Sequence, residues 1–183
     1  MRKILVVLLV LGQVAVLAYL GGEREWIRHN GERIFLRTAP VDPRDPFRGD
    51  FVRLSYSLNS IDVTRFRSSV SAESLKRETI VYAVLKPSST DVYQLDYLSD
   101  RKPSGGLFLR GRVSRDASGG QIQVRYGIEQ YFVQQGSGIE IERKRGSGDD
   151  LQIPMEVELA VGRSGHAVLT NYGWSRIGIR LEQ

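Results

Sequence analysis

Three carboxylates, Asp42, Asp45 and Asp50, interleave with two guanidinium groups, Arg44 and Arg48, in the segment PVDPRDPFRGDFVRLSY at residues 40–56. Carboxylates clustered this tightly are the raw material of a calcium site or of acid–base chemistry. The arginines change the balance. A cation surrounded by guanidinium groups is poorly favoured, whereas Asp42 with Arg44, or Asp45 with Arg48, can pair locally. The segment is therefore expected to be an ion-paired structural or contact element and not a metal centre. Pro40, Pro43 and Pro46 fix φ and keep the residues before them out of helix. Gly49 permits a turn, and the chain then enters a strand at Asp50, with Phe51, Leu54 and Tyr56 among its side chains.

Other chemistries fail on composition or spacing. The chain has no cysteine, which removes disulfides, thiolate catalysis and cysteine-ligated zinc. His29 and His166 lie far apart and neither has a ligand-spaced partner. No GxSxG elbow exists, and Gly162-Arg-Ser-Gly165 reads as a hairpin turn. Gly119-Gly120 and Gly136-Ser-Gly138 fall in turns instead of leading into helices, so no phosphate cradle is expected. Asp149-Asp150 reads as a solvated loop. Tyr126, Tyr131, Phe132, Tyr172 and Trp174 could line a ligand surface, but on alternating strands such residues belong to the core or to cross-strand pairs. No catalytic residue, metal ligand or cofactor is expected.

The elements that would position these residues begin with residues 4–20, ILVVLLVLGQVAVLAYL, an uncharged run behind Met-Arg-Lys. With Gly21 and Gly22 it reaches 19 residues, roughly 28 Å of helix at about 1.5 Å per residue. That nearly matches a hydrocarbon core of about 30 Å. Residues 1–22 are expected to be a single-pass anchor in the inner (cytoplasmic) membrane. Arg2 and Lys3 would stay in the cytoplasm and residues 23–183 would form a periplasmic or extracellular domain. A cleaved signal peptide, cut near Val16-Leu17-Ala18, is the competing reading; bulky Tyr19 and Leu20 beyond that point argue against it. Trp26 suits the interfacial belt. Gly12, Ala15, Ala18 and Gly22 share one side of the helix and Gln13 another, a pattern that allows a helical partner but is also ordinary in spanning helices.

Of the 26 basic and 21 acidic residues, only Arg2 and Lys3 precede the apolar run, leaving a net charge of +3 (24 against 21) beyond it. The signs alternate, as in Glu23-Arg24-Glu25, so the basic stripe that nucleic acid requires is missing. Arginines number 21 against 5 lysines, which favours bidentate carboxylate pairs.

Beyond the anchor, period-2 alternation dominates. Strands are expected at residues 33–37, 50–56, 79–85, 92–98, 106–113, 121–126, 155–161, 166–170 and 175–181, with 79–85 central. Turns at 87–91, 116–120 and 162–165 would make three hairpins. Short helices are expected at 70–78 and 138–145. The fold class is mainly β: one N-terminal transmembrane helix, then one antiparallel β-rich domain with one or two short helices.

Residues 49–56, GDFVRLSY, resemble the motif that names the GDYXXLXY family, with Phe51 where the motif has Tyr. The lead-in Asp42-Pro43-Arg44-Asp45-Pro46-Phe47-Arg48 resembles the same family. So do a second patch, Val124–Val133, which contains Tyr126, Gly127, Tyr131 and Phe132, and Gly138-Ile-Glu-Ile-Glu142. By that resemblance the chain looks like a bacterial membrane-anchored protein of a kind whose genes tend to accompany those of multi-spanning membrane proteins. The resemblance implies a location and a multi-spanning partner, with no activity attached. Type I signal peptidases offer a second comparison: they too are anchored and β-rich, and carry a pattern like Arg48-Gly-Asp-Phe-Val52. Their Ser–Lys dyad has no complete counterpart here, where the exterior lysines are Lys76, Lys86, Lys102 and Lys144. The expectation is an anchored accessory protein, with an envelope hydrolase or ligand-binding module as the alternative.

Overall fold

The apolar run winds into α1, Arg2–Asn30, in a computed structural model that describes residues 2–39, 51–68, 75–88, 92–116, 119–132 and 155–174. The helix is long and apolar enough to cross a membrane, and among the described residues none covers its apolar stretch. It continues past residue 22 for two further turns, and Arg28 in the last turn is a cation suited to the negative end of the helix dipole.

The remainder is mainly antiparallel β-structure. β1 (Glu32–Ala39), β10 (Met155–Val161) and β11 (Ala167–Trp174) form a sheet with the short β3 (Ser55–Tyr56), in the order β11-β10-β1-β3. A second sheet runs β4-β8-β7-β5-β6, built from β4 (Ser60–Asp62), β5 (Ile80–Pro87), β6 (Tyr93–Ser99), β7 (Phe108–Val113) and β8 (Gln121–Arg125). β2 (Phe51–Arg53) and β9 (Gln130–Phe132) make a third, two-stranded unit. β5 lies between β7 and β6, as its continuous apolar run demands. The hairpins β5–β6 and β10–β11 pair along most of their length, whereas β7 and β8 pair only at Arg112–Arg125 and Val113–Val124.

One apolar core joins the sheets. Ile34 and Leu36 of β1 and Val157 and Leu159 of β10 meet Val81, Leu98, Leu109 and Ile122 of the five-stranded sheet. Alternation sets this up: along β10, Met155, Val157 and Leu159 point in, while Glu156 and Glu158 stay half-exposed. The two glutamates meet Arg37 and Arg33 of β1 at 3.1 and 2.9 Å.

Two expectations require correction. The strand expected over residues 50–56 is two strands in different sheets. The change comes after Leu54: its side chain is buried and its N–H, donating to Glu129 O at 2.8 Å, still follows the β2–β9 register, whereas β3 beyond it pairs with the end of β1. The described part of the helix expected at 70–78 is a turn. Glu78 has φ +69° and donates its N–H to Val113 O, while Arg77 N–H goes to Asp116 Oδ1. The β7 edge and Asp116 thus take the hydrogen bonds that a helix would need. The helix expected at 138–145 and the strand at 175–181 lie outside the described residues.

Candidate functional site

The two motif segments are hydrogen-bonded partners. In the β2–β9 ladder Phe51 stands opposite Phe132, Val52 opposite Tyr131 and Arg53 opposite Gln130. Immediately after β2, Tyr56 is buried and donates its phenolic hydrogen to Ile128 O at 2.9 Å. Tyr126, also buried, donates in the opposite sense to Leu58 O at 3.0 Å. Burial, and next the negative charge of Glu129, push both phenols far above the ordinary tyrosine range, so both remain donors.

Glu129 organises the turn between β8 and β9. Its Oε1 accepts from Tyr126 N–H at 2.6 Å and from Asn59 Nδ2 at 3.1 Å, and its Oε2 accepts from Gly127 N–H at 2.8 Å. Gly127 presents that N–H from φ +82°, a left-handed conformation that a side chain resists. Asn59, in the 3₁₀ turn Ser57–Asn59, completes the link: its Oδ1 accepts from Tyr56 N–H at 2.7 Å and its Nδ2 donates to Val124 O at 2.9 Å. The arrangement locks one strand against another and leaves no catalytic group free within it. Sequence reading missed Asn59 and Glu129. The one available signal was Gly127 two residues before a carboxylate, a spacing that lets the acid accept from the turn's own N–H groups.

Beside this lock lies a cleft of about 610 Å³, lined by Arg110, Gly111, Arg112, Arg125, Tyr126, Gly127, Glu129, Gln130 and His166. It exists because β7 and β8 part after the Arg112–Arg125 pair. Arg110 N–H turns instead to Gly165 O, in the β10–β11 turn, at 2.8 Å. Gly111 lets the walls close: a Cβ there would lie 2.5 Å from Val124 Cγ1 and 2.9 Å from the Tyr126 ring.

The same β10–β11 turn receives the end of α1. Ile27 is buried, and a Cβ on Gly162 would lie 2.9 Å from its Cγ1. Gly31 N–H donates to Ile27 O at 2.7 Å. Arg110 Nη1 meets His166 Nε2 at 3.2 Å, and His166 Nδ1 meets Glu23 Oε1 at 3.1 Å. An arginine can only donate, so Nε2 accepts and the proton sits on Nδ1, which donates to Glu23. Trp26, on the same two turns, remains 70% exposed.

Of the residues singled out from the sequence, Phe51, Leu54, Tyr56, Tyr126, Gly127, Tyr131 and Phe132 come together in or beside the β2–β9 unit. Asp42, Pro43, Arg44, Asp45, Arg48, Gly49 and Asp50 lie outside the described residues. Among the described residues, no group of three histidine, aspartate or glutamate side chains is placed to hold a metal ion. Lys86 pairs with Asp96 at 3.1 Å, Lys102 sits 5.9 Å above the Phe108 ring and Lys76 is exposed, so no described lysine is buried beside a serine.

The family described as GDYXXLXY protein matches the chain over residues 13–171. No curated protein and no solved structure matches it.

Proposed function

The chain belongs to the GDYXXLXY family, and from that membership we propose that it is a membrane-anchored accessory protein whose β domain is held against a multi-spanning membrane protein. Residues 4–22 lie in the bilayer of the inner membrane, with Arg2 and Lys3 on the cytoplasmic side and the β domain on the far side.

The observation that carries this reading is the junction between helix and domain. α1 runs unbroken to Asn30, and its last two turns are tied to the β10–β11 turn through Ile27 and through Glu23 with His166. A secretory leader that is cut away has no need of such packing, whereas an anchor that orients a domain at the bilayer surface does. The β2–β9 lock gives the domain a rigid body to present, and its residues are structural in this reading.

The test is co-purification in a mild detergent. The tagged full chain should recover a multi-spanning membrane protein, and a chain with an unrelated apolar span in place of residues 4–22 should recover less of it. Recovery of no such protein by the full chain would overturn the partnership. A carboxyl-terminal reporter enzyme active only in the cytoplasm would overturn the orientation.

A further inference from the structure

We propose that the cleft between β7, the β8–β9 turn and the β10–β11 turn is a binding site for a phosphate-bearing anion, a phosphomonoester or phosphodiester group. The site is built from the described strands and does not depend on what the chain partners.

Three arginines, Arg110, Arg112 and Arg125, line one concave surface. Arg112 and Arg125 stand directly opposite each other in the β7–β8 pair, a like-charge arrangement that costs stability unless something offsets it. Glu78 supplies part of that offset, with Oε2 at 3.9 Å from Arg112 Nη1 and Oε1 at 3.1 Å from Arg125 Nη2. Arg77 Nε also lies 3.9 Å from Glu78 Oε1, and one carboxylate shared among three arginines leaves a positive remainder. Arg110 adds to it: its described side-chain partner is the neutral ring nitrogen of His166, not a carboxylate.

Against these three arginines the cleft lining sets a single carboxylate, Glu129. Its two oxygens already accept from Tyr126 N–H, Gly127 N–H and Asn59 Nδ2. The concavity is therefore cationic, and concave walls concentrate the field of the charges that line them. Guanidinium forks match the paired oxygens of a phosphate group in a way that an ammonium does not. The volume of about 610 Å³ falls within the usual range for small-molecule sites.

Two sources supply this chemistry, a soluble phosphate compound and a lipid headgroup. Glu23, which directly follows the apolar run, holds His166 at the cleft wall, so the cleft lies within one side-chain contact of the end of the apolar run.

The experiment uses the full chain in a non-ionic detergent, titrated separately with inorganic phosphate and with a short-chain phosphatidylglycerol and read by calorimetry and by the His166 ring resonances. Saturable binding of either probe is expected, weakened at least about tenfold by Arg110→Gln with Arg125→Gln and unchanged by Lys86→Gln, which removes a cation elsewhere. Arg112→Gln, on an exposed side chain, carries the test should the double variant misfold. Phosphate binding that the lipid does not exceed assigns a soluble ligand; tighter binding of phosphatidylglycerol assigns a headgroup. Absence of saturation by both probes, or equal affinity in a folded cleft variant, overturns the proposal.

Discussion

Tyr56 and Tyr126 each donate a hydrogen bond to the main chain just beyond the other: Tyr56 to Ile128 O at 2.9 Å and Tyr126 to Leu58 O at 3.0 Å. The exchange ties the two family-motif segments together at both ends of one turn. Replacing either tyrosine by Phe keeps the ring and strands a buried carbonyl. Each change is expected to cost about 1–2 kcal/mol, lowering Tm by about 2–4 °C per kcal/mol. The double variant should depart from the sum of the singles, because both bonds belong to one network. Thermal unfolding of the three variants in detergent measures both effects, and strict additivity would count against a shared lock.

The same burial makes the protein sensitive to alkali. Both phenols are raised in the folded chain, so the folded state holds protons that the unfolded state releases above about pH 10. Stability from these groups is fully present below that pH and is lost as pH rises further. The slope is about 1.4 kcal/mol per pH unit for each tyrosine. Tyr126→Phe should make the decline shallower by about one proton, as read from denaturation midpoints between neutral and strongly alkaline buffer.

Glu129→Ala removes the acceptor for two turn N–H groups and for Asn59 at once. A loss of about 3 kcal/mol is expected, with amide exchange accelerating first at Tyr126 and Gly127. Glu129→Gln restores shape but turns an amide donor towards donors, so it should rescue only part of the loss. Full rescue by Gln would show that the carboxylate charge is not needed.

The junction between helix and domain depends on the small size of Gly31. A Cβ there would lie 2.5 Å from Ile27 O and 2.9 Å from Val161 N, both main-chain atoms that cannot swing aside. Gly31→Val should shift α1 away from β10 at a cost of about 1–3 kcal/mol. Limited proteolysis should then cut near residues 23–31 at protease levels that leave the native chain intact. Ile27→Asp should do the same by placing a charge in an apolar contact.

Retention of the amino-terminal segment has a direct readout. Intact mass measurement of the protein purified from membranes should return a chain that still contains residues 4–22. A species beginning near Tyr19 would mean that α1 is a leader, and that only its last turns remain on the domain.

The sheet framework was legible in the sequence wherever alternation and turn chemistry agreed. β10, Met155–Val161, alternates from Met155 to Leu159 and is followed by Gly162-Arg-Ser-Gly165, so both the strand and its hairpin could be read. Residues 50–56 alternate equally well, yet the strand changes sheets after Leu54, because the end of β1 replaces β9 as the partner of Ser55 and Tyr56. The turn at Lys76–Thr79 lay in a segment with good helix formers, but its hydrogen bonds go to β7 and to Asp116, partners that propensity does not encode. Tyr56 and Tyr126 were visible as motif residues; Asn59 and Glu129, which hold them in place, were not, since their roles appear only when β3 and the β8–β9 turn meet. The arginine cleft was invisible for the same reason, its members coming from residues 110–112, 125 and the vicinity of 166.

Because α1 enters the domain without a hinge, the bearing of every face of that domain is dictated by the helix axis. Each residue advances an α-helix by about 100°. One residue inserted between Gly22 and the apolar run's midpoint would therefore swing the arginine cleft by about 100° around the helix axis, relative to the turns that precede the insertion.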